Sequence, residues 1–298
     1  MKFNRKTAVR LAKASLWAYD FDDTREAELL QFNGKIHLHD IEISDRQPTP
    51  TSFVGIVECH DMVIVAFQGT ITKFGFDGVF RLDSLVDWVQ NFEIKLLGKS
   101  KTSLPGRVHQ GFFQQLELVY DQVVAALNKL DKKKPILLTG HSQGGAVALL
   151  ATKRLQLDGF KIKSTYTFAA PRPGDEEFAK SIKTPVHRVE FGDDLVPHLP
   201  PLLTQKSVLG TAILKLNKLF DLPDIVVAIA ELADKIKENS RYQSVGKLTY
   251  AEIGQPIETE VSKAREKSLF KSRKRRLLKA GKGLVRHHSL ENYIEMLS

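Results

Sequence analysis

The chain has 298 residues, of which 42% are hydrophobic and 27% charged, with 12 prolines and a single cysteine, Cys59. That composition excludes a disordered chain, a collagen-like repeat and a disulfide-stapled scaffold, and the length suffices to bury the core of one large α/β domain. The formal charge of +9 is concentrated: 11 Lys or Arg and one acid, Glu266, lie between Lys263 and Arg286, so the rest is close to neutral.

The opening residues are basic, but Arg10, Lys13 and Asp20 interrupt every apolar run, so they read as neither a signal peptide nor a span. No stretch reaches the roughly 18–20 uncharged residues that a bilayer crossing needs. The spacing of Leu11, Ala14, Leu16 and Ala18 predicts an amphipathic helix instead. With one cysteine and no visible leader, the expected address is cytoplasmic, with membrane contact at most peripheral.

Strands are predicted at 53–57 and 62–67, joined by a turn at Cys59, His60 and Asp61. The second, MVIVAF, is nearly all apolar, as a central strand covered on both faces should be. After it, 71–82 is a looser stretch carrying Phe74, Phe76 and Phe80, in keeping with a cover over a site, and 84–92 with Trp88 reads as helical. Leu116, Val119, Val123, Ala126 and Leu127 predict a helix over 112–130, and 135–139 reads as a short buried strand. Further strands are predicted at 163–168, 186–191 and 244–250. Between the last two, 202–241 reads as two short amphipathic helices broken at Pro223. Alternating strands and helices predict an α/β fold with a largely parallel sheet flanked by helices. The whole chain, 1–298, reads as one such domain, with 202–241 as a helical insertion and 263–286 as a basic segment. Charge blocks of that kind are often solvated chain, and they also attract anionic lipid or nucleic acid.

Residues 136–145, ILLTGHSQGG, carry the chemistry. A strand that stops at Gly140-His141-Ser142-Gln143-Gly144 and turns straight into the helix former GGAVALLATKRL is the context a nucleophilic serine elbow requires. Glycine on both sides removes side-chain clashes in the turn, and the amides opening the helix point where negative charge develops during acyl transfer. Gln143 is thus the first candidate oxyanion donor. Serine needs a base, and the base needs an acid, in the chain order Ser, Asp or Glu, His. FGDDLVPHLPP offers Asp193 or Asp194 at a strand's carboxyl end, and VRHHSLENYIEML offers His287 or His288, with His198 a less favoured base. Spacing alone does not choose within either pair. The nine histidines are dispersed, with no HExxH or cysteine partners, so no metal site is expected. Charge apart, nothing supports nucleic-acid binding.

The ordered set of segments resembles the lipase class 3 family of α/β-hydrolases, which includes fungal triacylglycerol lipases. IVAFQGT at 64–70, DWVQNF at 87–92, VHQGF at 108–112, GHSQGG at 140–145, TFAAPRPGDEEFA at 167–179, DDLVPHLPP at 193–201, YQSVG at 242–246 and HSLENYI at 288–294 follow the family order. The resemblance implies Ser142 as nucleophile, Asp194 as acid and His288 as base. It also implies an oxyanion hole formed by Thr70 and the amide of Gln143. Gln68 stands where the family commonly has Arg, and Gln143 where it commonly has Leu. The implied function is hydrolysis of lipid carboxylic esters without a metal or organic cofactor. The insertion would enlarge the cover, and the basic segment would bring it toward anionic membrane. The rival readings are a phospholipase, a soluble carboxylesterase, or a non-catalytic lipid-binding protein on the same fold.

Overall fold

A computed structural model describes residues 2–19, 35–38, 54–69, 95–200, 227, 231, 241–277 and 286–298. The predicted cover at 71–82, the helix at 84–92, Thr70 and most of 202–241 lie outside the described residues, as do 278–285.

The central layer is a seven-stranded sheet in the order β1-β2-β3-β6-β7-β9-β11, formed by Lys35–Leu38, Val54–Glu58, Val63–Phe67, Ile136–His141, Ile162–Phe168, Val186–Phe191 and Lys247–Ala251. From β3 through β11 every pairing is parallel, while β1–β2 and β2–β3 are antiparallel. The near-continuous apolar reading of β3 has a direct cause. Val63, Val65 and Phe67 enter one core cluster, and Ile64 and Ala66 enter the other, so alternate side chains bury on opposite faces. In β6, Leu138 and Leu137 divide in the same way.

One face carries α1 (Arg5–Trp17) and α7 (Leu290–Leu297), the other α3 (Gln110–Asn128) and α4 (Gln143–Leu157). The Asn4 side chain caps α1 by accepting from the Thr7 amide at 2.8 Å. Ala8, Leu11, Ala12, Ala14 and Trp17 then face the sheet. A second, antiparallel sheet in the order β10-β8-β5-β4 joins Tyr242–Gln243, Gly174–Asp175, Arg107–His109 and Leu96–Gly98; the short helices α2 (Lys99–Thr102) and α5 (Glu176–Ser181) flank it. Its strands have two or three residues each, too few for any periodicity to announce them.

The basic segment departs from the solvated-chain reading over part of its length. Residues Lys263–Leu277 form helix α6, with Leu269 and Arg273 buried. Leu269 packs with Leu248, Tyr250 and Val261. Arg273 is 1% exposed: Nη1 donates to Glu190 Oε2 at 2.6 Å, Nε donates to the Gly192 carbonyl at 2.7 Å, and the guanidinium lies 5.1 Å from the Tyr250 ring centre. Arg188 pairs with Glu190 on one side and with Glu266 of α6 on the other.

Burial alone would raise the Glu190 carboxyl, but the charges of Arg188 and Arg273 outweigh it and hold it below its ordinary range. The native chain therefore binds fewer protons here than the unfolded one. The pair's contribution is full above the ordinary Glu value of about 4.3 and is lost as pH falls toward the depressed native value. Glu190→Gln leaves two buried guanidinium groups without their shared carboxylate, an expected cost of about 3–5 kcal/mol at neutral pH. Urea unfolding at neutral pH and near pH 4 should show that gap narrowing in acid; an equal gap at both would refute the assignment.

Candidate active site

Strand β6 runs between β3 and β7 and ends at His141, and Ser142 follows with φ 54° and ψ −131° before α4 begins at Gln143. This is sterically costly backbone for a residue with a Cβ. It is held because the flanks come together more closely than side chains permit. A Cβ on Gly140 would lie 2.3 Å from the Gly144 carbonyl, and one on Gly144 would lie 2.1 Å from the Phe67 carbonyl oxygen. The Ser142 amide donates to the Phe168 carbonyl at 2.9 Å, and its own carbonyl accepts from the Gly145 amide at 3.0 Å. Strand order continues through the turn and passes directly into the helix.

Three side chains meet at this edge. His288 Nε2 lies 3.0 Å from Ser142 Oγ, and His288 Nδ1 lies 3.0 and 3.1 Å from the two carboxylate oxygens of Asp194. With the carboxylate accepting the Nδ1 proton, Nε2 is the acceptor facing the serine hydroxyl. Asp194 is fully buried. Its Oδ1 accepts from the Val196 amide at 3.0 Å and its Oδ2 from the Tyr293 hydroxyl at 2.7 Å. The Tyr293 oxygen in turn accepts from the Phe191 amide at 3.1 Å, and burial with the neighbouring Asp194 charge raises its pKa well above the usual value. It is a neutral donor throughout the physiological range.

Of the residues that spacing left open, Asp193 and His287 sit beside the triad-like group and serve its turn. The Asp193 amide donates to His287 Nδ1 at 2.9 Å, and the His287 ring packs against Phe191 at 5.1 Å. His198 pairs with Glu190 and Arg273 instead, where burial pushes its pKa well below the usual histidine value. Gln143 is the first residue of α4, so its amide belongs to the turn whose N–H groups point out of the helix end.

Sequence reasoning missed several supporting groups. His141 Nε2 lies 2.8 Å from the His288 carbonyl, and its Nδ1 lies 3.0 Å from the Tyr19 hydroxyl. Burial, reinforced by repulsion from His288, keeps His141 well below the usual histidine pKa, so it is neutral and donates from Nε2. Tyr19 is also hydrogen-bonded to the backbone of Gly69, tying the end of β3 to the elbow. A tyrosine five residues beyond the histidine, on a strongly amphipathic terminal helix, was the only available sign of Tyr293. Among the described residues no three His, Cys, Asp or Glu side chains are grouped to hold a metal ion.

Residues 76–204 match the lipase (class 3) family. The secreted mono- and diacylglycerol lipase 1 of Fusarium solani is 36% identical over 125 residues, covering 39% of this chain and 36% of that protein. The secreted mono- and diacylglycerol lipase A of Penicillium cyclopium is 34% identical over 168 residues, covering 54% and 50%. The chain thus spans half or less of the length of these relatives. Among solved structures, lipase II from Rhizopus niveus superposes with a TM-score of 0.57 at 16% identity, over 95% of this chain and 92% of that one. A Penicillium cyclopium lipase mutant gives 0.56 at 20% identity, over 87% and 83%.

These relatives correct the cytoplasmic expectation, since they are secreted lipases by name. A lone cysteine was a poor guide because a chain with two large apolar layers needs no disulfide to fold in any compartment. Among the described residues no helix is long and apolar enough to cross a membrane. Over residues 76–204 the chain is thus similar to the lipase (class 3) family, and its core shares the α/β fold of the fungal lipase structures, with a mainly parallel central sheet.

Proposed function

We propose that this chain is a serine hydrolase that cleaves carboxylic esters of acylglycerol lipids through an acyl-enzyme, with Ser142 as nucleophile, His288 as base and Asp194 as acid. The observation that carries the reading is the continuous hydrogen-bonded chain from Asp194 through His288 to Ser142 Oγ, each link about 3.0 Å, at the carboxyl ends of β9 and β6. His288 Nε2 takes the hydroxyl proton as Ser142 Oγ attacks the ester carbonyl. The oxyanion forms beside the amide of Gln143, with the second donor assigned to Thr70 on the family resemblance. His288 returns the proton to the departing alcohol. It then takes one from water, which attacks the acyl-enzyme and releases the fatty acid with Ser142 restored. Asp194 holds the imidazole orientation and balances its charge while it is protonated. The acylglycerol substrate class is supported by the names of the relatives and by the family match.

Ser142→Ala should abolish labelling by an active-site phosphonate and lower kcat on mono-, di- and triacylglycerol emulsions by on the order of 10⁶-fold. Hydrolysis that survives the substitution would refute the nucleophile. Turnover confined to phospholipid, or to monomeric short-chain esters, would refute the acylglycerol assignment while leaving the mechanism standing. Lipid association without labelling of the unmutated protein would refute hydrolysis altogether.

Tyr293→Phe removes one hydroxyl donor from an ionised, fully buried carboxylate. Hydrogen bonds to charged groups contribute about 1.5–3 kcal/mol. Part of that is expected in the transition state, as a fall in kcat of roughly 10-fold with KM on a soluble ester nearly constant. A change in KM alone would show that Tyr293 shapes the binding surface rather than the acid.

A further inference from the structure

We propose that α6 is a docking element for an anionic lipid bilayer, presenting a row of lysines that climbs beside β9 toward the edge of the sheet where Ser142, Asp194 and His288 meet. Its direction follows from its contacts. Glu266 meets Arg188 Nη2 at 2.9 Å, and about two helical turns later Arg273 reaches Glu190 and the Gly192 carbonyl. Residues 188, 190 and 192 run in order toward the carboxyl end of β9, so α6 climbs alongside that strand. Arg273 thus stands beside Gly192, at the start of the turn that carries Asp194.

The two sides of the helix differ in kind. Glu266, Leu269 and Arg273 face the body, and Glu266 is the only acid in the helix. Lys263, Lys267 and Lys271 recur one turn apart on the exposed side. Lys263 shares Glu266 at 3.2 Å while remaining 73% exposed. The outward row therefore carries positive charge with no acid interleaved. Because Arg273 is buried in an ion pair and a backbone hydrogen bond, the row is presented at a set place on the body, unlike charges on a solvated tail.

Two observations favour a bilayer over nucleic acid as the occupant. Ile253, in the turn that leaves the carboxyl end of β11, is 70% exposed, so an apolar side chain stands at the edge toward which the lysine row climbs. Among the described residues the large exposed apolar side chains are Leu118, Leu157 and Ile253, with no exposed aromatic on which bases could stack. Cationic side chains with an adjoining apolar one match the headgroup and acyl layers of an anionic membrane. The inference rests on the lipid-hydrolase reading only for why such docking would be useful; binding can be measured without catalysis.

The test is sedimentation of Ser142→Ala protein with extruded vesicles of phosphatidylcholine alone and of equimolar phosphatidylcholine and phosphatidylserine. The expected result is preferential partition onto the mixed vesicles that weakens as salt is raised, since the Debye length contracts. In the same background Lys267→Gln with Lys271→Gln should lower the partition coefficient by roughly fivefold for each charge removed, and Ile253→Ser should lower it further. Both lysines are exposed, and an unchanged thermal midpoint would show the fold intact. Equal binding to the two vesicle types would overturn the proposal. So would partition unaffected by the lysine substitutions, or tighter retention on duplex DNA than on mixed vesicles at the same ionic strength. Turnover of a soluble ester by the unmutated protein reports separately on hydrolysis, so failure of one idea does not conceal failure of the other.

Discussion

The close approach of β6, the start of α4 and the end of β3 is the constraint on which the rest depends. Ser142 occupies a backbone region that costs of order 1–3 kcal/mol for a residue with a Cβ. It stays there because Gly140 and Gly144 let three backbones meet at distances that no alanine could tolerate. The stored strain is small against the burial around it: α4 is covered from Gly144 through Thr152, and β6 is central in the sheet. Its effect is directional. The serine hydroxyl leaves the sheet at its carboxyl edge, where the turn directly after β9 carries Asp194.

That edge contains two buried carboxylates four positions apart, and their surroundings give them different roles. Glu190 lies among guanidinium groups, so its charge is already balanced and its work is to hold α6 and the turn after β9. Asp194 accepts from a peptide amide, a tyrosine hydroxyl and the imidazole of His288. Among the described residues no arginine pairs with it. In the proposed mechanism its negative charge is therefore available to balance a proton on His288, as an acid partner in acyl transfer must. Burial in a low-dielectric setting strengthens that interaction relative to water.

How far the sequence disclosed this follows from what each signal measures. Parallel strands were legible because their apolar runs reflect burial on two faces, as β3 shows with its alternation between two clusters. The elbow was legible because small residues at set offsets have few other uses. Adjacent pairs were not: Asp193 and Asp194, like His287 and His288, differ only in which way a turn aims them. The family resemblance, not spacing, chose between them. Helix α6 was hidden for another reason. A buried arginine and a surface arginine are the same letter, and the partner that makes Arg273 an interior residue, Glu190, lies 83 positions away. Tyr293 was obscured similarly, since an apolar helix face accommodates a tyrosine whether or not its hydroxyl has a task.

Gln68 shows which parts of the site the fold holds without side-chain help. It stands where the lipase class 3 pattern commonly has Arg, it is 5% exposed, and neither its Oε1 nor its Nε2 has a hydrogen-bond partner among the described residues. An orphaned buried amide of this kind costs about 1–3 kcal/mol. Yet the end of β3 is fixed without it. The Phe67 and Gln68 backbones close on Gly144, β3 pairs in parallel register with β6 as far as Phe67 opposite Gly140, and Gly69 is hydrogen-bonded to Tyr19. Main-chain contacts and a tyrosine two residues beyond the first helix therefore hold the end of β3 at Gly69. With the exit of β3 and the elbow locked to each other through backbone, a neutral amide can replace a cation at residue 68 without altering the spacing between Gly69 and Ser142.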